Sequence, residues 1–316
     1  AVADADTIVF DKTGTLTKAS PTLVRVVSFD GRDPDELLRI AACLEEHFPH
    51  SMARAVVAGA AAKGLEHEEM HSKVEYVVAH GISSSIDGKK VVIGSYHFVF
   101  EDEGCVIPED KIELYESLSK THSHLFMGID GRLAAVISIK DPVRPESAEV
   151  VSRLKKLGIK KVVMMTGDSD RTAKAIAEQV GVDEYYSEVL PEDKAKFVEA
   201  EKTAGRKVIM VGDGINDSPA LSASDAGIAV SDGAEIAREI ADITVSADNL
   251  YELVTLKELS NKLMSRINRN YRKIVTINTG LIILGVMGVI QPTTSALLHN
   301  SSTLLISLDS MKKLLD

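Results

Sequence analysis

A chain of 316 residues with 45% apolar residues is long enough for two modest cores and something extra, and its composition excludes a disordered chain. A net charge of −11 without long single-sign runs leaves no electrostatic footprint for a nucleic-acid partner. Any phosphate handled by so acidic a chain must be met by local lysines or a metal ion, and the two cysteines, Cys43 and Cys105, lie outside C-x-x-C spacing and suit a reducing compartment. No signal peptide opens the chain and residue 1 is Ala, so a piece of a longer protein is expected.

The first element, Thr7-Ile8-Val9-Phe10, reads as a buried parallel strand. It delivers Asp11 to a strand's carboxyl end, the edge of an open α/β sheet where ligands bind. In the next residues, Lys12-Thr13-Gly14-Thr15-Leu16-Thr17, Gly14 permits a sharp turn. Lys12, the threonine hydroxyls and the backbone N–H groups make that turn a phosphate cradle. An aspartate placed there is a candidate nucleophile. A hydrolase using it commonly needs a second acid two residues on, to protonate the leaving group and activate water. That position is Thr13, which favours a phosphoryl-aspartate that forms readily and hydrolyses slowly.

From Thr22 the pattern is α+β. A strand runs to Phe29, and a helix starts with Asp33 as N-cap and Pro34 at its first position. A second helix covers 51 to 62 and stops at Gly64. Strands follow at 74–78, 83–86 and 91–93, the last two joined by Asp87-Gly88 as a hairpin. A helix over 108–120 and strands at 124–129 and 133–139, joined by Asp130-Gly131, close this segment. From Asp141-Pro142 helices and strands alternate, the pattern of βαβ units in a parallel sheet: helix 145–157, strand 161–165, helix 170–180, strand 207–211, and weaker strands at 226–230 and 242–245. The opening strand belongs most simply to that sheet, which makes the α+β segment an insertion.

Candidate chemistry collects at the strand ends. Thr166-Gly167-Asp168 offers a hydroxyl and backbone donors for a phosphoryl oxygen, and Lys194 can neutralise charge on a transferring group. Gly212-Asp213-Gly214-Ile215-Asn216-Asp217 places two carboxylates four apart around a Gly-rich turn, a donor set that suits Mg²⁺. The last fifty or so residues differ again. Arg266, Arg269, Arg272 and Lys273 precede an apolar stretch from Ile274 to Ile290; a turn at 291–294 leads to a second stretch, Ser295 to Met311, with Lys312 and Lys313 after it. The lengths and the basic flanks predict a membrane hairpin with both ends on the cytosolic side, against buried helices of an oligomer as the alternative.

In these motifs the chain resembles the catalytic portion of a P-type ATPase within the haloacid dehalogenase-like superfamily. Asp11 matches the phosphorylated residue of D-K-T-G-T-L-T, residues 166–168 match T-G-D, Lys194 matches the phosphate-site lysine, and Gly212 to Leu221 match G-D-G-x-N-D-x-P-A-L. The resemblance implies Mg²⁺ on Asp11, Asp213 and the Thr13 carbonyl, with Asn216 and Asp217 completing the site. It implies an ATP-binding insertion of the heavy-metal-transporting branch, with Glu45 and His50 at the spacing of Glu-x4-His-Pro but Ser51 in place of Pro. Of the branch's Gly-x-Gly loop only Gly81 remains, after Ala79-His80, and Gly94 joins the cofactor-binding candidates. His47 competes with His50, and His67 with His71 is a weaker metal candidate.

The fold implied is a Rossmann-like parallel-sheet phosphorylation domain (1–17 and 140–257), an inserted α+β nucleotide-binding domain (18–139) and a C-terminal transmembrane helical hairpin (258–316). The implied partners are ATP, a divalent transition-metal ion, the membrane, and N-terminal membrane and actuator portions of a parent protein, with the catalytic part cytoplasmic. His299 and Asn300 are candidate ligands of a transported Zn²⁺, Cd²⁺, Co²⁺ or Mn²⁺ ion, and helix packing through Ser301, Ser302 and Thr303 is the alternative. A soluble phosphatase would want an acid at position 13, and a degenerate regulatory subunit would have lost Asp11, Lys194 or Asp213.

Overall fold

The apolar runs pair into two sheets, one parallel and one antiparallel. The structure, a computed structural model, describes residues 1–18, 20–46, 51–65, 75–77, 81–213, 217–230, 239–246 and 248–315. The expectations for His47, His50, His67, His71, His80 and Asn216 lie outside those residues. The chain divides into two compact units, Ala5–Glu252 and the pair Ala1–Asp4 with Leu253–Asp316.

In the larger unit, β1 (Thr7–Asp11) runs parallel between β8 (Lys161–Met165) and β10 (Val208–Gly212), with Val9 opposite Val163 on one side and Met210 on the other. Strands β11 (Ala226–Val230) and β12 (Ile243–Val245) extend the sheet beyond β10, and β9 (Glu184–Tyr186) extends it beyond β8. A strand covered on both faces must be apolar throughout, and β1, β10 and β11 are buried at every position. Full burial of a side chain such as Val9 or Met210 contributes roughly 1.5–3 kcal/mol. Because the chain leaves β1 with neighbours on both sides, its carboxyl end is the switch point of the sheet, and Asp11 stands there. Around the sheet lie α4 (Ser147–Lys156), α5 (Asp170–Val180), α6 (Pro191–Thr203) and α7 (Ser218–Ala223). Helices α6 and α7, which sequence periodicity did not predict, both open on proline in the first turn.

The antiparallel sheet is ordered β2 (Thr22–Ser28), β7 (Arg132–Lys140), β6 (Ser123–Ile129), β5 (Lys89–Gly94), β4 (Gly81–Ile86) and β3 (Glu75–Val77). Both hairpin turns have positive φ at Asp and Gly, Asp87 with Gly88 and Asp130 with Gly131, as the two-residue turns require. Helices α1 (Pro34–Glu45) and α2 (Ser51–Ala62) supply Leu37, Leu38 and Val56 to a core with Ile93, Met127 and Ile137. Phe29, Phe98 and Phe126 belong to a second cluster. Both cysteines are buried, and neither is in a disulfide.

One expectation is corrected and another is met only in part. The helix predicted over 108–120 shrinks to a 3-10 turn at Glu109–Lys111 and α3, Ile112–Glu116. Ser117 Oγ donates to the Leu114 carbonyl, and Arg171 takes the carbonyls of Glu116 and Leu118, acceptors that a longer helix would have used for its own ladder. The predicted membrane hairpin is helical, as Tyr251–Val286 and Pro292–Ser310, but no helix among the described residues is long and apolar enough to cross a membrane. The first helix stops at Val286, inside the apolar stretch, and carries Arg269, Arg272 and Lys273 in its preceding turns; the second contains His299, Asn300 and Asp309.

Candidate active site

Strand β1 ends with the Asp11 carboxylate buried at the sheet edge. Lys194, in the first turn of α6, donates to Asp11 Oδ1 at 2.6 Å and to Asp217 Oδ1 at 2.7 Å. Asp217 precedes α7 and is fully buried, and its Oδ2 has no hydrogen-bond partner among the described residues. Gly212 makes room for it, since a Cβ there would stand 2.4 Å from that Oδ2. Two carboxylates thus share one ammonium. Burial, then the neighbouring Asp217, push the Asp11 carboxyl up to about 6 against the pull of Lys194 and Lys12. Burial raises Asp217 as well. Burial would lower Lys194, but Asp11 and Asp217 outweigh it and hold the ammonium firmly charged.

The neighbouring network was only half visible in the sequence. Thr166 Oγ1 donates to Asp168 Oδ2 at 3.0 Å and accepts the Asp168 N–H at 3.1 Å, so the T-G-D turn closes on itself. Lys12 donates to Asp168 Oδ2 at 2.5 Å and to Ser123 Oγ, at the start of β6, at 3.1 Å. Burial would raise Asp168, but Lys12, with the Ser123 and Thr166 hydroxyls, outweighs it and holds the carboxyl below its ordinary range. The lysine expected in an open phosphate cradle is thereby tied to a carboxylate and to the antiparallel sheet.

A second set, missed from the sequence, holds the 12–17 loop. Gly14 has φ +77°, and its N–H donates to Thr17 Oγ1 at 3.1 Å. Thr17 donates to Asp141 Oδ2 at 2.5 Å. Arg144 is buried, with Nε donating to the carbonyls of Thr15 at 2.9 Å and Thr17 at 3.0 Å and a terminal nitrogen to that of Gly14 at 3.3 Å. Ser147 Oγ donates to Leu16 O at 3.0 Å. The available signal was a run of polar residues, Asp141, Arg144 and Ser147, entering a segment otherwise patterned for burial.

A cavity of about 290 Å³ joins these groups to the antiparallel sheet. Asp11, Thr13, Thr166, Gly167, Asp168, Lys194 and Asp213 line it, together with Glu45, Gly81 and Gly94. Glu45 is buried at the end of α1, and Gly81 and Gly94 face each other in register on β4 and β5. A Cβ on Gly81 would meet Phe98 Cδ1 at 2.4 Å and the Ile93 carbonyl at 2.5 Å, so this corner admits only glycine. In the smaller unit, His299 Nδ1 lies 2.7 Å from Asn278 Oδ1 on the other helix, and Asn300 is exposed. Among the described residues no cluster of three or more His, Cys, Asp or Glu could hold a metal. Mg²⁺ needs less, one or two carboxylates with water and phosphate oxygens. The hard oxygens of Asp11 and Asp213 on one cavity, beside the unpartnered Oδ2 of Asp217, fit it.

The model of the family described as haloacid dehalogenase-like hydrolase matches residues 5–225. The chain is 35% identical over 310 residues to a zinc-exporting P-type ATPase of Mycobacterium marinum, covering 97% of this chain and 42% of the relative. It is 36% identical over 308 residues to the "probable copper-exporting P-type ATPase V" of Mycobacterium tuberculosis, covering 97% and 40%. A solved zinc-transporting PIB-type ATPase superposes with a TM-score of 0.62 at 30% identity, over 98% of this chain and 50% of that one. The chain therefore spans less than half the length of the curated relatives it matches.

Proposed function

The chain belongs to the haloacid dehalogenase-like hydrolase family, and from that premise we propose that it is the catalytic portion of a heavy-metal-exporting P-type ATPase. An Asp11 carboxylate oxygen attacks the terminal phosphorus of ATP, the bond to the bridging oxygen breaks, and ADP leaves with the electron pair. The reading rests above all on one observation: Lys194 bridges Asp11 and Asp217, and it lines with Asp11 a cavity that Glu45, Gly81 and Gly94 also line.

Each residue has a task in this scheme. Lys194 fixes Asp11 and offsets charge where the phosphoryl group arrives. Thr166, Gly167 and Lys12 meet its oxygens, Lys12 after leaving Asp168. Glu45, His50, Gly81 and Gly94 hold the nucleotide. Asp11, Asp213 and the Thr13 carbonyl, with Asn216 and Asp217 beside them, would hold Mg²⁺, which supplies charge neutralisation between carboxylate and phosphate. Thr13 supplies no proton donor two residues from the nucleophile, so the acyl phosphate persists. Residues 1–17 and 140–257 serve phosphorylation and 18–139 nucleotide binding.

The tail, 258–316, is read as part of a larger membrane bundle, completed by N-terminal membrane and actuator portions of the parent protein, with the catalytic part in the cytoplasm. Exposed Ile282, Ile283, Val286, Met287, Leu304 and Leu305 support that placement, and the two helices would then reach lipid or further helices rather than span alone. The His299–Asn278 pair puts nitrogen and oxygen ligands between the helices, a set suited to Zn²⁺, Cd²⁺, Co²⁺ or Mn²⁺ more than to Cu⁺. The test is incubation with γ-labelled ATP and Mg²⁺: acid-stable, hydroxylamine-sensitive label is expected and should vanish in Asp11→Asn. Turnover of simple phosphate esters with no retained label would mark a phosphatase instead.

A further inference from the structure

The smaller unit carries a concentration of positive charge opposite in sign to the chain as a whole. No acidic residue lies between Glu258 and Asp309. Within that interval Arg266, Arg269, Arg272 and Lys273 follow at helical spacing, and the last three are exposed. Arg266 adds the end of the second helix to the patch. Its guanidinium donates to the carbonyls of Ser310 at 3.0 Å and Lys313 at 2.8 Å and also to that of Lys312, capping acceptors that a helix terminus leaves unpaired. Exposed Lys312 and Lys313 are thereby held beside the basic turns. The acidic group facing them is Asp309, 3.6 Å from Lys273 and 2.8 Å from Lys312, and no ion pair engages Arg269 or Arg272 among the described residues.

A groove of about 730 Å³ lies along this face, lined by Arg269, Arg272 and Lys273 with Asn268, Thr276 and Ile277. It joins cations and neutral donors to an apolar edge, where Ile274, Val275 and Ile277 are exposed. That order matches an amphiphile whose phosphodiester and net negative charge sit just outside its hydrocarbon. Basic residues at the border of an apolar stretch draw acidic lipid headgroups. We propose that this groove binds the headgroup of an anionic glycerophospholipid. The inference rests on the membrane placement of the tail proposed above. A free phosphate would use the cations but leave the apolar edge without purpose.

The experiment is flotation of the full chain with vesicles of phosphatidylcholine alone or mixed with phosphatidylglycerol. The expected result is stronger binding to the mixed vesicles, by about fivefold for each engaged cation. The preference should shrink as salt rises, and inorganic phosphate at matched ionic strength should not displace the protein. The triple variant Arg269→Gln, Arg272→Gln, Lys273→Gln alters exposed side chains only. It should bind mixed vesicles no better than phosphatidylcholine, with its phosphatidylcholine binding and its labelling by γ-labelled ATP unchanged. Equal binding of the unaltered chain to both vesicle types overturns the headgroup site and leaves the membrane placement standing. A triple variant that keeps the preference overturns the assignment to this groove, and binding to neither vesicle type fells the membrane placement and the inference together.

Discussion

Lys194 donates to Asp11 at 2.6 Å across 183 residues of sequence, and both partners are buried. The same ammonium also compensates Asp217. Replacing Lys194 by Met strands two carboxylates without their cation, and breaking a buried pair in this way typically destabilises by about 3–5 kcal/mol. At roughly 2–4 °C per kcal/mol for a unit of this size, thermal denaturation should show a melting temperature about 10 °C lower. Labelling from ATP should be lost as well. Lys194→Arg should recover much of the stability and little of the labelling, because a planar fork does not reproduce one ammonium between two oxygens.

Stability and activity should respond to pH with opposite signs. Asp11 titrates at about 6 in the folded protein against 3.8 as a free side chain. Between those values the folded state holds a proton that the unfolded state has released. Stability from this group is therefore greatest at low pH, falls as pH rises through that window and levels off above it, by up to about 3 kcal/mol. Asp217, raised by burial, contributes in the same direction. Chemical denaturation in the presence of a chelator should show this slope in the unaltered chain and a flatter one in Asp11→Asn. The nucleophile must be ionised, so labelling should instead climb as pH rises. Bound magnesium favours the carboxylate and moves that limb to lower pH.

Lys12 and Asp168 pair at 2.5 Å with side chains almost fully buried. Asp168→Asn leaves the Lys12 charge without its counter-ion and should destabilise by about 3–5 kcal/mol, whereas pairing it with Lys12→Met should restore part of the loss. A double-mutant cycle from urea denaturation measures the coupling. If Lys12 must leave Asp168 to meet phosphate, Asp168→Asn should also bind nucleotide with altered affinity, read by titration with a fluorescent ATP analogue.

What the sequence made legible was whatever depends on local pattern. Apolar runs ending in Asp11, Thr166 and Gly212 placed three strand ends, and these are neighbours in one parallel sheet. Asp87-Gly88 and Asp130-Gly131 marked the hairpins because only certain residues tolerate positive φ at both turn positions. Strand β9 was missed because three residues, Glu184 to Tyr186, on a sheet edge leave no periodicity to read. Ser123 and Arg144 were missed for a different reason: each acts through a partner more than a hundred positions away, and neither shows a spacing that points there. In the tail the two stretches are helical as read, but the first helix ends at Val286, four residues before the apolar stretch does, and Gly288, at φ +70°, lies in the break.

Arg144 offers a test of whether the loop that carries the nucleophile is held from behind. Its buried guanidinium donates to three of that loop's carbonyls, those of Gly14, Thr15 and Thr17, while the Ser147 hydroxyl donates to the Leu16 carbonyl between them. Arg144→Ala leaves these acceptors without a donor, and each buried group so stranded costs about 1–3 kcal/mol. Arg144→Lys keeps the charge, but one ammonium cannot reproduce the spread of a guanidinium, so part of the defect should remain. Glu45, Gly81 and Gly94 line the cavity and Arg144 does not. The expected outcome for Arg144→Lys is therefore a slower rate of phosphoenzyme formation at saturating ATP with nucleotide affinity nearly unchanged, measured by rapid-quench labelling beside equilibrium titration. A purely structural role would instead lower the fraction of folded, ATP-binding protein and leave the rate per bound nucleotide as it was.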